Sequence, residues 1–140
     1  MKTFLKSLPS ALLILLFVYA ATSKLISIGE FRIQLHRQPF PSGVSDMLLY
    51  LLPAAELIAA LLLLFERTYG AGLQLSLALL ILFTAYIILV LLHFWSKVPC
   101  SCGGILSHMS WRAHLVFNCC FIVINLIAIK IHLKERRPVT

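Results

Sequence analysis

Charge is scarce in this chain. Of 140 residues only 12% are Asp, Glu, Lys or Arg, and only five are acidic. A water-soluble domain carries about a quarter. Also missing is any basic patch interleaved with aromatic residues, so the net charge of +7 does not point to nucleic acid. No internal repeat and no pair of broken hydrophobic segments is evident, which speaks against the usual layout of a secondary transporter. There is no C-x-x-C motif. What remains is apolar: 61% hydrophobic residues and a mean hydropathy of +0.97. The composition is that of an integral membrane protein. At this length one domain, residues 1–140, is the default.

Four apolar runs are long enough to cross a bilayer, each near the 20 residues a span requires. The pattern places helices at about 4–23, 47–65, 70–95 and 111–132, an all-α, four-transmembrane-helix bundle. The first run, preceded by Lys2 and Lys6, also has the shape of a secretory signal. Three further spans follow it, and retention as a helix is the reading adopted. Between the first two spans, Phe31, Ile33 and Leu35 alternate with Arg32, Gln34, His36 and Arg37. This stretch is expected to continue the first helix and then lie along the membrane surface.

The few polar residues inside the spans are informative because each is costly there. Glu56 falls near the middle of the second span. It either handles protons or makes a structural hydrogen bond or a pair with Lys24. Lys24 itself stands where the first helix leaves the bilayer and reads chiefly as a snorkelling anchor. Asp46 is placed to complement the N-terminus of the second helix. Pro53 would free a carbonyl in that span. Gln74, Ser76, Thr84 and Tyr86 in the third span read as interhelical hydrogen-bonding groups. In the fourth, Trp111, His114, Asn118 and Asn125 recur at helical steps and share one face that should look into the bundle. Ser107 or Ser110 can cap that helix. Cys119 and Cys120 read as small buried hydrophobes.

The remaining two cysteines lie in the connection between the last two spans, Val98-Pro99-Cys100-Ser101-Cys102-Gly103-Gly104. Pro99 cannot continue a regular helix, and the two glycines open backbone angles closed to other residues. Cys100 and Cys102 are thus held close in a tight turn at the water edge. A disulfide between cysteines two apart closes a very small ring, a geometry suited to exchange rather than stapling. The alternatives are two reduced cysteines that merely pack, or a metal or haem ligand pair. His93, before the turn, and His114, one turn into the last helix, are candidates to assist a thiol.

Lys and Arg counts set an orientation. Lys2, Lys6, Arg67, Lys130, Lys134, Arg136 and Arg137 fall on one side of a four-span chain. Lys24, Arg32, Arg37, Lys97 and Arg112 fall on the other. The positive-inside rule puts both termini in the cytoplasm. Cys100 and Cys102 then face the extracytoplasmic side, where disulfides persist.

These residues carry a resemblance. Ser23-Lys24-Leu25, the stretch from Phe31 to Phe40, Pro53 with Glu56, Phe83-Thr84-Ala85-Tyr86-Ile87, and above all Pro99 to Gly104 followed by Ser110-Trp111, His114 and Phe117-Asn118 resemble the MauE/DoxX-like family of redox-associated bacterial membrane proteins. The resemblance covers nearly the whole chain. It implies a four-helix bundle in the bacterial inner membrane and a link to periplasmic thiol–disulfide chemistry. In the methylamine utilisation branch, the family member is needed to produce the disulfide-rich small subunit of methylamine dehydrogenase. This chain has Gly103-Gly104 where that branch is described with an aromatic residue.

The expectation is therefore a membrane thiol–disulfide oxidoreductase or its accessory. Cys100 and Cys102 would exchange with a thioredoxin-like partner or a client protein, with His114 or His93 assisting. A quinone is a candidate electron acceptor and Glu56 its proton handler. The alternatives are a non-enzymatic assembly or scaffold protein with a structural cysteine clip, and a small transporter built on Glu56 and the polar face of the last helix.

Overall fold

The computed structural model describes residues 2–94 and 109–137, with side chains from residue 7 onward. All the regular structure among them is helical: α1 (Lys2–Ile26), α2 (Ile28–His36), α3 (Ser42–Leu64), α4 (Tyr69–Leu91) and α5 (Trp111–Arg136). Four of these contain stretches long and apolar enough to cross a membrane: Ser7–Ile26, Ser42–Leu64, Tyr69–Leu91 and Trp111–Arg136. The helical form is dictated by the solvent, since a backbone in hydrocarbon must satisfy its own hydrogen bonds. In the bundle α1 packs on α3, α3 on α4, α4 on α5, and α5 back on α1.

The shared core is aliphatic with a few small residues. Leu13 and Phe17 of α1, Ala59, Ala60 and Leu63 of α3, Leu73, Leu79 and Leu80 of α4, and Ala128 of α5 form one buried cluster. Large apolar side chains also cover the outside, among them Leu15, Leu61, Leu82 and Val116. In water such a surface would drive aggregation. In a bilayer it is the lipid-facing surface.

The region after α1 differs from a simple continuation. The chain breaks at Ser27 and resumes as the separate helix α2. Phe31 and Leu35, one turn apart, are buried against Leu49 of α3, while Ile33 between them is exposed. The apolar residues that alternate in sequence are thus sorted by helical spacing, not by a period of two. Ser45 Oγ donates to the Leu35 carbonyl at 3.2 Å and fastens the end of α2 to α3.

Several boundaries move for identifiable reasons. The second span begins at Ser42 rather than near residue 47, because Pro41 presets the first turn: its carbonyl accepts from Val44 N–H and Ser45 N–H at 3.0 and 3.1 Å. Asp46 therefore lies inside α3 instead of at its N-terminus, and its Oδ1 meets His36 Nε2 at 3.0 Å. The third span stops at Leu91, short of residue 95. His93 adopts φ 56°, and the N–H groups of Phe94 and His93 turn back to the carbonyls of Leu89 and Val90 at 3.2 and 3.1 Å. That is a Schellman stop with histidine where glycine is usual. At the start of α5, Ser110 Oγ accepts from Ala113 N–H at 3.2 Å, so Ser110 is the cap. Ser107 lies outside the described residues.

Candidate functional site

Several polar residues of the spans converge at one end of the bundle. Lys24 is in the last turn of α1 and Glu56 is well inside α3. Lys24 Nζ donates to Glu56 Oε1 at 2.8 Å and to the Ala20 carbonyl of its own helix at 3.3 Å. Both side chains are buried, 5% and 2% exposed. The Phe31 ring lies 5.8 Å from the ammonium, within cation–π range. This overturns the snorkelling reading of Lys24: α2 and the neighbouring spans close over its head group, and the ammonium turns inward to a carboxylate. Two opposite charges that meet in a low-dielectric interior offset part of each other's desolvation.

Beside this pair is a cavity of about 280 Å³. Its polar lining is Lys24, Glu56, Gln38, Tyr86, His114 and Asn118, and the rest of its wall is apolar and aromatic. Each polar residue arrives from a different element for a local reason. Gln38 follows the end of α2, where its Nε2 donates to the Gln34 carbonyl at 3.3 Å. The Tyr86 hydroxyl of α4 donates to Gln38 Oε1. The Tyr86 ring is also flanked by Phe40, 5.7 Å between centroids, and by Trp111, 6.2 Å away edge-on. His114 and Asn118 stand one turn apart on α5, each 4% exposed. Asn118 Nδ2 donates to Thr84 Oγ1 at 3.5 Å, and that hydroxyl donates to the Leu80 carbonyl at 2.7 Å.

One atom in this site stands apart. Glu56 Oε2 is buried with no hydrogen-bond partner among the described residues. Lys24 has a matching surplus: an ammonium carries three donors, and two are used by Glu56 Oε1 and Ala20. Both residues line the cavity, so an unused donor and an unpartnered acceptor lie beside it.

The polar face expected on the last span is real. His114, Asn118 and Asn125 are all buried. Asn125, fully buried farther along α5, satisfies its amide when Nδ2 donates to the Leu73 carbonyl and Oδ1 accepts from Leu77 N–H, both at 3.2 Å. It ties α5 to α4 away from the cavity. Of the candidate residues, Glu56 and His114 are brought to one cavity. His93 is exposed beyond the end of α4 and does not line it. Cys100 and Cys102 lie outside the described residues. Cys119 and Cys120 are exposed on the outer surface of α5, not buried, because they flank the inward stripe of Asn118 and Asn125 instead of sharing it.

Gln38 is the residue hardest to find from sequence. Its signal is that it is the one amide side chain between apolar Leu35 and Phe40. That it turns inward depends on the helix break at Ser27, which places α2 against α3.

Fold and site together define a multi-pass helical membrane protein whose spans enclose a largely apolar cavity with a buried charge pair on its wall. The chain belongs to the MauE family: the family model for methylamine utilisation protein MauE matches residues 1–131. No curated protein and no solved structure matches it significantly.

Proposed function

We propose that this protein is the membrane component of an extracytoplasmic thiol–disulfide system in which Cys100 and Cys102 are the exchanging pair. The observation that carries this reading is the Cys100-Ser101-Cys102 motif in the connection between the last two spans of a MauE-family chain. That connection joins α4 and α5 at the end of the bundle where Tyr86 and Trp111 stand over the cavity. The positive-inside count supports placing that end outside the cytoplasm and both termini inside.

The first exchange balances between the client and the cysteine pair alone. A client dithiol attacks the Cys100–Cys102 disulfide, passes through a mixed disulfide, and leaves as a disulfide. Cys100 and Cys102 gain the two electrons and two protons the client loses. Restoring the disulfide takes a two-electron oxidant, either an oxidised thioredoxin-like partner by exchange in reverse or a quinone. His114, one turn into α5, and Glu56 of α3, both on the cavity wall, are the candidate proton acceptors.

The test is thiol trapping in intact cells with a membrane-impermeant maleimide, on a variant that keeps only Cys100 and Cys102. The expected result is labelling only after reduction, and loss of client oxidation in both Cys100→Ser and Cys102→Ser. Free labelling without reduction, unchanged when the partner is removed, would instead make the pair a standing dithiol in a scaffold. Labelling from the cytoplasmic side alone would reverse the orientation and remove the role.

A further inference from the structure

We infer that the cavity beside Lys24 and Glu56 is a binding site for a lipid-soluble quinone, the ring in one oxidation state accepting from Lys24 and in the other donating to Glu56. The inference deepens the thiol–disulfide reading by naming the membrane-phase acceptor for its electrons, and it rests on that reading for its physiological sense. The binding site itself rests on geometry.

The first observation is the pair of unused valences. Glu56 Oε2 is buried and unpartnered among the described residues, and Lys24 keeps one donor beyond its bonds to Glu56 Oε1 and Ala20. A buried polar atom without a partner is expensive, so the site is incomplete as it stands. A ligand oxygen placed there completes it. A carbonyl oxygen can accept from Lys24. A hydroxyl can both accept from Lys24 and donate to Glu56 Oε2. A group that alternates between C=O and C–O–H is served in both states.

The second observation is charge. Lys24 and Glu56 neutralise one another at 2.8 Å. The cavity therefore has no net charge to hold an anion or a cation, and it suits a neutral molecule. The third is shape and lining. At about 280 Å³ the volume is at the small end of ligand pockets, which run from about 300 to 1,000 Å³. It takes one ring and not a peptide or a whole phospholipid. The wall includes the aromatic side chains of Phe17, Phe40, Phe83, Tyr86, Trp111 and Phe117. A planar ring stacks on such side chains, whereas a branched aliphatic chain gains little from them. Finally, the cavity lies among membrane-spanning helices, so a ligand dissolved in the lipid is already concentrated around it.

The redox step balances. Oxidation of the Cys100 and Cys102 thiols to a disulfide releases two electrons and two protons. The quinone takes up both and leaves as the quinol. Glu56 and His114, both on the cavity wall, are the groups that hold protons beside the ring.

The experiment uses the full chain in lipid nanodiscs stripped of endogenous quinone, titrated with decylubiquinone while tryptophan emission is followed. Trp111 on the cavity wall is the reporter. Saturable quenching is expected, and Trp111→Phe should remove most of the signal. Glu56→Gln preserves side-chain volume but loses the charged acceptor. It should weaken binding of the reduced, quinol form about tenfold or more, the worth of a hydrogen bond to a charged group. Ala20→Leu fills the wall without touching the ion pair and should abolish saturation for both forms. Should either variant not fold, Lys24→Met combined with Glu56→Leu, which strands no charge, carries the test and should lose binding of both forms. Absence of saturable quenching in the wild type, or identical titrations in Glu56→Gln and wild type for both forms, overturns the site. The Cys100→Ser/Cys102→Ser double variant separates the two readings. Retained binding in that variant supports the site independently of the thiols. Retained binding in a wild type whose reduced cysteines do not reduce the quinone removes the electron-transfer role while leaving the site.

Discussion

The two ends of this bundle are built by different rules. At the end of the α3–α4 turn the helices close on one another through a residue with no side chain. A Cβ on Gly72 would sit 2.9 Å from the backbone nitrogen of Leu63. Thr68 Oγ1 donates to the Leu62 carbonyl at 2.9 Å, and the Tyr69 hydroxyl meets Ser10 Oγ at 2.6 Å. Small residues and short hydrogen bonds of this kind hold membrane helices together when no hydrophobic force acts between them. At the opposite end, around Lys24 and Glu56, the helices stay apart and the gap is lined with charged, amide and aromatic groups. One end looks like a clasp; the other looks like a site. The difference implies that substitutions at Gly72 and Tyr69, which do not line the cavity, act on stability alone, while those around Lys24 and Glu56 act on stability and ligand together.

The largest effect separates the two. Lys24→Met strands Glu56 in the interior, and breaking a buried pair from one side costs about 3–5 kcal/mol. The expected outcome is a sharp fall in the Tm of detergent-purified protein. Lys24→Met combined with Glu56→Leu removes both charges and should recover most of that loss, since well-packed apolar replacements for a buried pair are often neutral or better. A double variant no more stable than Lys24→Met would mean that the pair is not what stabilises this end. Such a recovered double variant is also expected to lose quinone binding, which a purely structural pair would not predict.

At the clasp, Gly72→Ala should cost about 1–3 kcal/mol, the usual penalty of overpacking, because the obstructing atoms are backbone and cannot swing away. Gly43 in the first turn of α3 is the control. A Cβ there meets nothing within 4 Å, so Gly43→Ala should be neutral or slightly stabilising. Quinone titration of Gly72→Ala is expected to match the wild type at temperatures where it is folded. A changed affinity would show that the two ends are coupled and break the division drawn above.

How far the sequence reveals this arrangement differs between its parts. The four spans are legible because hydropathy is a local property, and the inward face of α5 because Trp111, His114, Asn118 and Asn125 are spaced along one helix. The separate helix α2 is not. Its alternation of Phe31, Ile33 and Leu35 with polar residues suits a surface stretch of any kind, and only packing on Leu49 selects the turn-spaced pair. Lys24 misleads for a related reason. A lysine at a helix end can reach outward or inward, and the choice is made by α2 folding over it and by Glu56, 32 residues away, being unpaired otherwise. Cys119 and Cys120 show the limit from the other side. Cysteine is usually buried, but here composition gives way to the helical phase set by Asn118 and Asn125. In the site Gln38 meets Tyr86, 48 residues distant, a contact that no local pattern records.

The smallest effect tests whether the clasp is held mainly by packing or by its hydrogen bonds. Tyr69→Phe removes the hydroxyl that meets Ser10 and leaves the ring in place against His132, edge-on with centroids 5.1 Å apart. Side-chain hydrogen bonds between membrane helices are worth about 0.6 kcal/mol on average, because the separated helices find other partners. A Tm shift clearly smaller than that of Gly72→Ala is therefore expected. The packing reading would be lost if Tyr69→Phe destabilised the protein as much as Gly72→Ala, for then the Ser10–Tyr69 bond, and not the close approach of α3 and α4 at Gly72, would be what keeps this end shut while the other stays open.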